Sequence, residues 1–278
     1  MNPILTDDQK RIEWLKCSLS PVYFTRTYVR IFNATVKEWI PFEMWPAQEQ
    51  VMADLIDNQY LIVLKARQLG ISWLCMSYAL WMMVFHPAPN VMIMSKRGDE
   101  AVDLLSNRLV EMHARLPEWM QAKAIRTRSA HDFVLSNGSR AKAFPTSGGR
   151  SYTGTLVLLD EADFLPDLNK VLNAIKPTVD AGGQLIMIST VDKETPRSTF
   201  KEIFREAYYG EKSSYKAIFL PWWSRPERTP EWYAQVKIDM YRQTGTDDSL
   251  FQEYPANPEE ALAPIQLNKR IPFDWIAA

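Results

Sequence analysis

The chain has 278 residues, of which 46% are hydrophobic, and its net charge is −1 at pH 7. This length allows one large domain or two small ones with a substantial core, and the charge gives no overall basic signature. Two cysteines without a CxxC pair and three scattered histidines argue against a disulfide scaffold, a zinc site and a histidine metal triad. The longest apolar run, residues 73–85, is too short to span a bilayer, and no signal peptide is visible. We therefore expect a soluble intracellular protein without a membrane partner.

The N-terminal segment, residues 1–40, predicts an amphipathic helical arm with a break at Pro21. A second helix is predicted to begin near Pro46, and its apolar stripe consists of Val51, Met52, Leu55 and Ile56. Gln48 in its first turn has two interpretations. Its amide reads the edge of an adenine base, or it is a polar surface residue.

A phosphate-binding loop is indicated between an apolar strand, residues 61–64, and an apolar helix, residues 72–85. The loop is Lys65-Ala66-Arg67-Gln68-Leu69-Gly70-Ile71-Ser72. Against the pattern GxxxxGK[ST], Gly70 and Ser72 are in register, but Ile71 occupies the lysine position. Such loops bind phosphate mainly through backbone N–H groups and a helix N-terminus, so Lys65 can supply the mobile charge from the other end. The alternative is a strand–turn–helix unit with incidental basic residues.

The next elements are a strand over residues 90–95, a helix over residues 99–116 and a hairpin in which residues 133–135 and 140–144 flank Ser-Asn-Gly-Ser. A polar loop then leads into LVLLDEAD, residues 156–163. Four apolar residues suit a buried parallel strand, and two adjacent carboxylates follow it. In a P-loop ATPase, one such carboxylate holds Mg²⁺ and the next polarises the attacking water. Asp160 is therefore the predicted metal carboxylate and Glu161 the catalytic base, whereas the alternative is an ordinary strand with an acidic turn.

The remaining core elements are a helix over residues 168–179 and a buried strand over residues 184–188, which ends in Ser189-Thr190. Alternating strands and helices predict an α/β fold with a mostly parallel, three-layer central sheet. Together with the phosphate loop and the two carboxylates, this pattern indicates a three-layer P-loop NTPase of the ASCE/RecA-like kind. We assign residues 1–40 to the arm and residues 41–210 to the ATPase core. Residues 211–278, including a short strand over residues 215–220, form a predicted lid and linker.

A basic stretch lies between residues 121 and 150, with six basic residues against one acid. The basic residues are Lys123, Arg126, Arg128, Arg140, Lys142 and Arg150. Such a patch tracks a phosphate backbone without reading bases, or it is a solvated face.

Several motifs, in this order, resemble the ATPase part of viral large terminases, the DNA-packaging motors of tailed bacteriophages. The resemblance covers residues 40–262. It includes WPAQ (45–48), KARQLGIS (65–72), SNGSRAKAFP followed by GRSYTG, LVLLDEAD, ISTVDK (188–193) and FQEYPANPEEAL (251–262).

The resemblance implies roles for individual residues. Lys65, Gly70 and Ser72 hold phosphates and Mg²⁺, while Arg67 contacts phosphates in cis. Gln48 reads adenine, and Ser189 with Thr190 senses the γ-phosphate state. Arg150 matches the arginine that the family offers to a neighbouring subunit's nucleotide, and its alternative is a solvated loop cation.

The resemblance also implies an ATP-hydrolysing motor that moves double-stranded DNA into a procapsid in the host cell cytoplasm, as a homo-oligomeric ring on a capsid portal with a small terminase subunit as partner. We expect no nuclease activity within these residues. Two alternatives remain, a helicase-like nucleic-acid-dependent ATPase and a nucleotide-binding assembly module with little turnover.

Overall fold

The structure is a computed structural model that describes residues 5–121, 123–145 and 153–265. Its helices are α1 (Asp7–Leu19), α2 (Pro21–Tyr28), α3 (Pro46–Asp57), α4 (Ile71–Phe85), α5 (Gly98–Asp103), α6 (Val110–Ala114), α7 (Leu168–Asp180), α8 (Thr199–Tyr209), α9 (Pro230–Thr244), α10 (Asp248–Glu253) and α11 (Pro258–Leu262). Its strands are β1 (Arg30–Asn33), β2 (Glu38–Pro41), β3 (Tyr60–Lys65), β4 (Asn90–Met94), β5 (Ile125–Arg128), β6 (Asp132–Leu135), β7 (Arg140–Phe144), β8 (Leu156–Asp160), β9 (Gln184–Ser189) and β10 (Lys216–Leu220). A π-helical turn, Leu104–Leu109, joins α5 to α6.

Eight strands form one sheet in the order β10-β3-β9-β8-β4-β7-β6-β5. The strands from β10 to β7 are parallel, and β6 and β5 continue the sheet in antiparallel pairing. Strand β9 lies between β3 and β8, so the strand before the phosphate loop and the strand before the two carboxylates are not neighbours. The predicted α/β fold with a mostly parallel central sheet is confirmed.

The sheet separates two apolar cores, because successive side chains of a strand point to opposite faces. In β3, Leu61 and Val63 face the core that contains α3 and α4, whereas Ile62 and Leu64 face the core that contains α7 and α8. Burial on both faces explains why β3 and β8 have continuous apolar sequences. No helix of the described residues is long and apolar enough to cross a membrane.

Local sequence determines where several helices begin. The Thr6 hydroxyl accepts a hydrogen bond from Gln9 N–H at the start of α1, and the Ser198 hydroxyl caps α8 in the same way. Helix α2 begins with Pro21, whose missing N–H costs nothing in a first turn.

Three elements differ from the sequence prediction. Only residues 7–19 and 21–28 of the predicted helical arm are helical, and β1 pairs with β2 as an antiparallel hairpin in which Ile31 faces Ile40 and Phe32 faces Trp39. Such β-branched and aromatic residues favour paired strands. The long helix after β4 is interrupted by the π-helical turn. Strand β10, predicted as part of the lid, pairs with β3 in the central sheet.

Candidate functional site

Three parallel strands bring their carboxyl ends to one edge of the sheet. Strand β3 ends at Lys65, β8 at Asp160 and β9 at Ser189. In open α/β sheets ligands bind at this edge, where loops leave room between strands and helices. The predicted phosphate, metal and sensor residues therefore meet at one place, although they lie far apart in the sequence.

The phosphate loop turns sharply between β3 and α4. Gln68 and Gly70 have positive φ angles of 61° and 69°, and Gly70 precedes the first turn of α4. The positive φ favours glycine at position 70, and a Cβ atom there would lie 2.7 Å from Gln48 Nε2, so the Gln48 amide would have to shift. Ile71 is 1% exposed and packs in the core, which explains how an apolar residue occupies the usual lysine position.

Ser72 and Asp160 face each other across the edge. The Ser72 hydroxyl donates to Asp160 Oδ1 and Oδ2, both at 3.1 Å. Burial and the neighbouring Glu161 charge raise the pKa of Asp160 to about 6, while the positive charges of Lys65 and Arg108 oppose this rise.

The donor set of this pair fits Mg²⁺. The ion prefers hard oxygen ligands and commonly combines one or two carboxylates with water and substrate phosphates. A carboxylate that is 6% exposed and has a serine hydroxyl beside it supplies such oxygens. No group of three or more His, Cys, Asp or Glu side chains suited to a metal occurs in the described residues, and a Mg²⁺–nucleotide complex does not require one.

Glu161 lies beside both Lys65 and the end of β9. Lys65 Nζ is 3.4 Å from Glu161 Oε1, and Thr190 N and Oγ1 are each 3.4 Å from Glu161 Oε2. Ser189 Oγ is 3.5 Å from the same oxygen. Although burial pushes the pKa of Glu161 upward, the Lys65 ammonium and the Thr190 N–H hold it below its usual value. Glu161 is thus a charged base whose contacts are long and replaceable.

The backbone of Glu161 adopts a left-handed conformation, with a φ of 50°. Such a conformation is uncommon for a residue with a side chain, and it concentrates at functional sites. Here the turn directs the carboxylate toward Lys65 rather than along the strand.

Gln48 is buried, at 3% exposure, so the interpretation as a polar surface residue is wrong. Its Oε1 accepts from Trp45 N–H at 2.9 Å, and its Nε2 donates to the Leu69 carbonyl at 2.9 Å. The amide therefore ties the first turn of α3 to the phosphate loop. Gln48 also borders the cleft beside this loop, and its reading of adenine stays a prediction.

Arg67 is held by the segment after the core. Its guanidinium forms an ion pair with Glu253 at 2.9 Å, and its backbone N–H donates to the Glu253 carbonyl at 2.8 Å. The Arg67 carbonyl accepts from Arg228 at 2.8 Å. Its predicted contact with phosphates would require the side chain to leave Glu253. The other predicted arginine, Arg150, lies outside the described residues.

A cleft of about 670 Å³ surrounds the phosphate loop. One wall is the β1–β2 hairpin, and another includes Trp45 with Arg225 over its ring at 5.6 Å. Arg108, from the π-helical turn, also borders the cleft. The sequence analysis did not predict that the β1–β2 hairpin, Arg225 and Arg108 line this cleft. For Arg108 the available signal was a charge three residues after Leu105, on the apolar face of a predicted helix.

A second ion pair lies behind the turn that carries Glu161. Asp163 Oδ2 is 3.2 Å from Lys201 Nζ, and the two side chains are 0% and 2% exposed. Asp163 also accepts from Asp192 N–H at 2.6 Å and from the Ser198 hydroxyl. The pair ties the turn after β8 to the turn after β9 and to α8.

No known family model matches the chain, but solved structures share its fold. The ATPase domain of the large terminase of Thermus phage P74-26 is 21% identical, with a TM-score of 0.61 over 76% of this chain and 92% of that chain. The HK97 bacteriophage large terminase is 14% identical, with a TM-score of 0.68 over 86% of this chain and 54% of that one. A large terminase from a thermophilic bacteriophage, in complex with ADP, is 11% identical, with a TM-score of 0.54 over 76% and 52%.

The chain therefore spans about half the length of the HK97 terminase and of the ADP-bound terminase. At these identities the comparison concerns the fold, and at that level the predicted resemblance to terminase ATPase domains is confirmed.

Proposed function

We propose that this chain is the ATPase part of a viral DNA-packaging motor, which hydrolyses ATP to move double-stranded DNA into a procapsid. The observation that carries the proposal is the meeting of two pairs, Ser72 with Asp160 and Lys65 with Glu161, at one edge of the sheet. The fold shared with phage terminase ATPase domains supports it.

In this proposal the nucleotide phosphates lie along the phosphate loop. Backbone N–H groups at the N-terminus of α4 bind the phosphate oxygens, and Lys65 adds a point charge. Ser72 and Asp160 would hold Mg²⁺ through their oxygens, and the ion would supply positive charge to the phosphates during transfer.

Glu161 is the proposed general base. Binding of ATP draws the Lys65 ammonium toward the phosphates, since these carry more negative charge than one carboxylate. Glu161 then orients a water and accepts its proton in the displacement of the γ-phosphate. Ser189 and Thr190, which contact the other oxygen of Glu161, are placed to register whether this carboxylate has moved.

Double-stranded DNA is the proposed polymer partner. Strand β5 is exposed at every residue and carries Arg126 and Arg128, of which Arg128 pairs with Glu111 at 3.2 Å. Arg140 and Lys142 both lie 3.7 Å from Asp132. Paired cations attract phosphate less than free ones, so a ring of subunits would be needed to concentrate this charge around a duplex.

The assembly belongs to the proposal as well. In it, the chain forms a homo-oligomeric ring on a capsid portal in the host cytoplasm, with a small terminase subunit as partner. Arg150 would then stabilise the transferring phosphoryl group on a neighbouring subunit.

The test measures ATP hydrolysis by wild type, Lys65→Ala and Glu161→Gln, each with and without duplex DNA, across a series of protein concentrations. Turnover that needs both residues and rises with concentration would support a motor completed by a neighbouring subunit. A strand-separation assay on the same samples distinguishes a helicase, because a packaging motor moves duplex DNA without unwinding it. ATP binding without turnover in every condition would favour an assembly module instead.

A further inference from the structure

Arg108 occupies a position between two depressions at the catalytic edge. It borders the cleft of about 670 Å³ that surrounds the phosphate loop. It also borders a neighbouring depression of about 470 Å³, which is lined by Ser72, Asp160 and Glu161 as well. Arg108 therefore lies between the phosphate loop and the residues proposed to hold the metal and to act as base. The terminal phosphate of a nucleotide bound to the loop would lie in this region.

The local backbone aims this arginine at the edge. Leu105 and Leu109 are fully buried, and Arg108 lies between them in the chain. The residues belong to a π-helical turn, which accommodates one extra residue and is frequent at functional sites. The turn places a charge beside a buried apolar face without burying the guanidinium itself.

Two contacts hold the guanidinium. It lies over the ring of Trp73 in α4, 5.2 Å from the centroid, and its NH2 is 3.5 Å from Asp103 Oδ2. The Arg108 side chain is 26% exposed. Trp73 follows Ser72 directly, so the stacking partner belongs to the first turn of the helix that holds phosphate.

The phosphate loop lacks a cation at its usual lysine position, and its two cations are paired. Ile71 replaces the usual lysine and is buried, Lys65 pairs with Glu161, and Arg67 pairs with Glu253. A triphosphate brings negative charge to an edge that already has Asp160 and Glu161. Arginine suits such a place because its planar fork binds two phosphate oxygens at once and always stays charged.

We propose that Arg108 is a catalytic residue in cis, which contacts the γ-phosphate of bound ATP across the cleft from Lys65. This role rests on the proposed ATPase function. Before the nucleotide binds, the Arg108 guanidinium pairs with Asp103. The Trp73 ring keeps the guanidinium in one plane when it turns toward the nucleotide. Because ADP lacks the γ-phosphate, the contact distinguishes ATP from ADP.

Calorimetric titration with ATP-γ-S and with ADP, each with Mg²⁺, tests the proposal on the full chain. Arg108→Ala should weaken ATP-γ-S binding by about tenfold to a hundredfold and leave ADP binding within about threefold. Arg108→Lys keeps the charge without the fork and should fall between wild type and Arg108→Ala. Turnover should drop by about a hundredfold or more in Arg108→Ala, as for other donors aimed at developing charge.

Two controls separate this contact from a structural role. Arg97→Ala removes an exposed arginine that pairs with Asp99 and Glu100, and it should leave both affinities unchanged. Asp103→Asn releases Arg108 without removing it, so the preference for ATP-γ-S should persist. An equal loss of affinity for both nucleotides in Arg108→Ala would overturn the assignment of Arg108 but not the proposed ATPase function. The same loss of affinity in Asp103→Asn would have the same consequence. If the wild-type protein binds neither nucleotide, both the proposed function and the assignment of Arg108 are overturned.

Discussion

Two acids of one short turn, Glu161 and Asp163, each face a lysine, yet their surroundings differ. The Lys65–Glu161 distance is 3.4 Å and the Glu161 side chain is 27% exposed. The Asp163–Lys201 distance is 3.2 Å and Asp163 is fully buried. Lys201 also donates to the carbonyls of Asp192 and Thr195, the latter at 2.5 Å.

The difference in surroundings separates a pair with a fixed geometry from a pair whose contacts can be exchanged. Every polar atom that is buried without a partner costs free energy, so a pair with saturated partners holds one geometry. Asp163 accepts from a backbone N–H, a hydroxyl and an ammonium, and this network fixes the turn. The contacts of Glu161 are each 3.4 Å or longer, so phosphate and water can replace them.

The largest expected effect is on turnover in Glu161→Gln. Loss of the base should lower turnover by about 10²–10⁴-fold, the usual contribution of general base catalysis. The free energy of unfolding should change by no more than about 1 kcal/mol, because the glutamine Oε1 still accepts from Lys65. Phosphate release and urea unfolding of the same preparation measure the two quantities. ATP turnover in Glu161→Gln close to that of the wild type would contradict the catalytic assignment.

The next effect is on stability in Lys201→Met. This change leaves the Asp163 carboxylate buried without its cation and should lower the free energy of unfolding by about 3–5 kcal/mol. Urea unfolding with fluorescence detection measures it.

The matched control for that variant is Lys176→Met. Lys176 pairs with Asp180 at 2.8 Å, but both side chains are more than half exposed, at 66% and 51%. The free energy of unfolding should change little there, as for other exposed pairs. Equal losses in the two variants would contradict a structural role for the buried pair.

The same contrast explains what sequence predicts here. Strands β3, β8 and β9 are apolar runs with polar residues directly after them, and parallel strands share one carboxyl edge, so Lys65, Asp160 and Ser189 could be brought together from the sequence alone. The hairpin of β6 and β7 followed from its Ser-Asn-Gly-Ser turn.

The partners of those residues could not be predicted in this way. The pairing of Asp163 with Lys201 depends on how α8 packs behind the sheet, and nothing local specifies that. Arg108 reaches the edge only because a π-helical turn interrupts its helix, whereas the sequence prediction assumes a regular period. The β1–β2 hairpin is predicted as helix because its strands have only four residues each, too few for a clear alternation.

A smaller effect concerns pH and Asp160. Burial raises the pKa of this carboxyl from 3.8 to about 6, so the folded protein holds a proton that the unfolded chain has already lost. The free energy of unfolding should therefore fall as pH rises from about 4 to about 6, by on the order of 2 kcal/mol. Glu161, whose pKa is lowered, acts in the opposite direction.

Asp160→Asn separates these contributions. Without the titrating carboxyl, the fall in stability between these pH values should become shallower. Part of the fall should remain, because burial also raises the pKa of Asp163. Urea unfolding at several pH values, without nucleotide, gives the slopes. An unchanged slope in Asp160→Asn would mean that another group titrates there.

The smallest effect concerns a third pair, Arg67 with Glu253, which extends the comparison to an exposed cation. Arg67 is 61% exposed and its guanidinium is 2.9 Å from the Glu253 carboxylate. Glu253→Gln removes the charge that competes with phosphate for Arg67. Because an exposed pair contributes no more than about 1 kcal/mol, ATP affinity should rise by at most about fivefold.

The gain in Glu253→Gln must depend on Arg67 if competition is its cause. In the background of Arg67→Ala, the same glutamine should therefore change ATP affinity very little, and calorimetry of the four proteins gives this interaction directly. The backbone bond from Arg67 N–H to the Glu253 carbonyl survives both changes, so the loop keeps its anchor. A gain that persists without Arg67 would show that Glu253 acts on the nucleotide through its own negative charge.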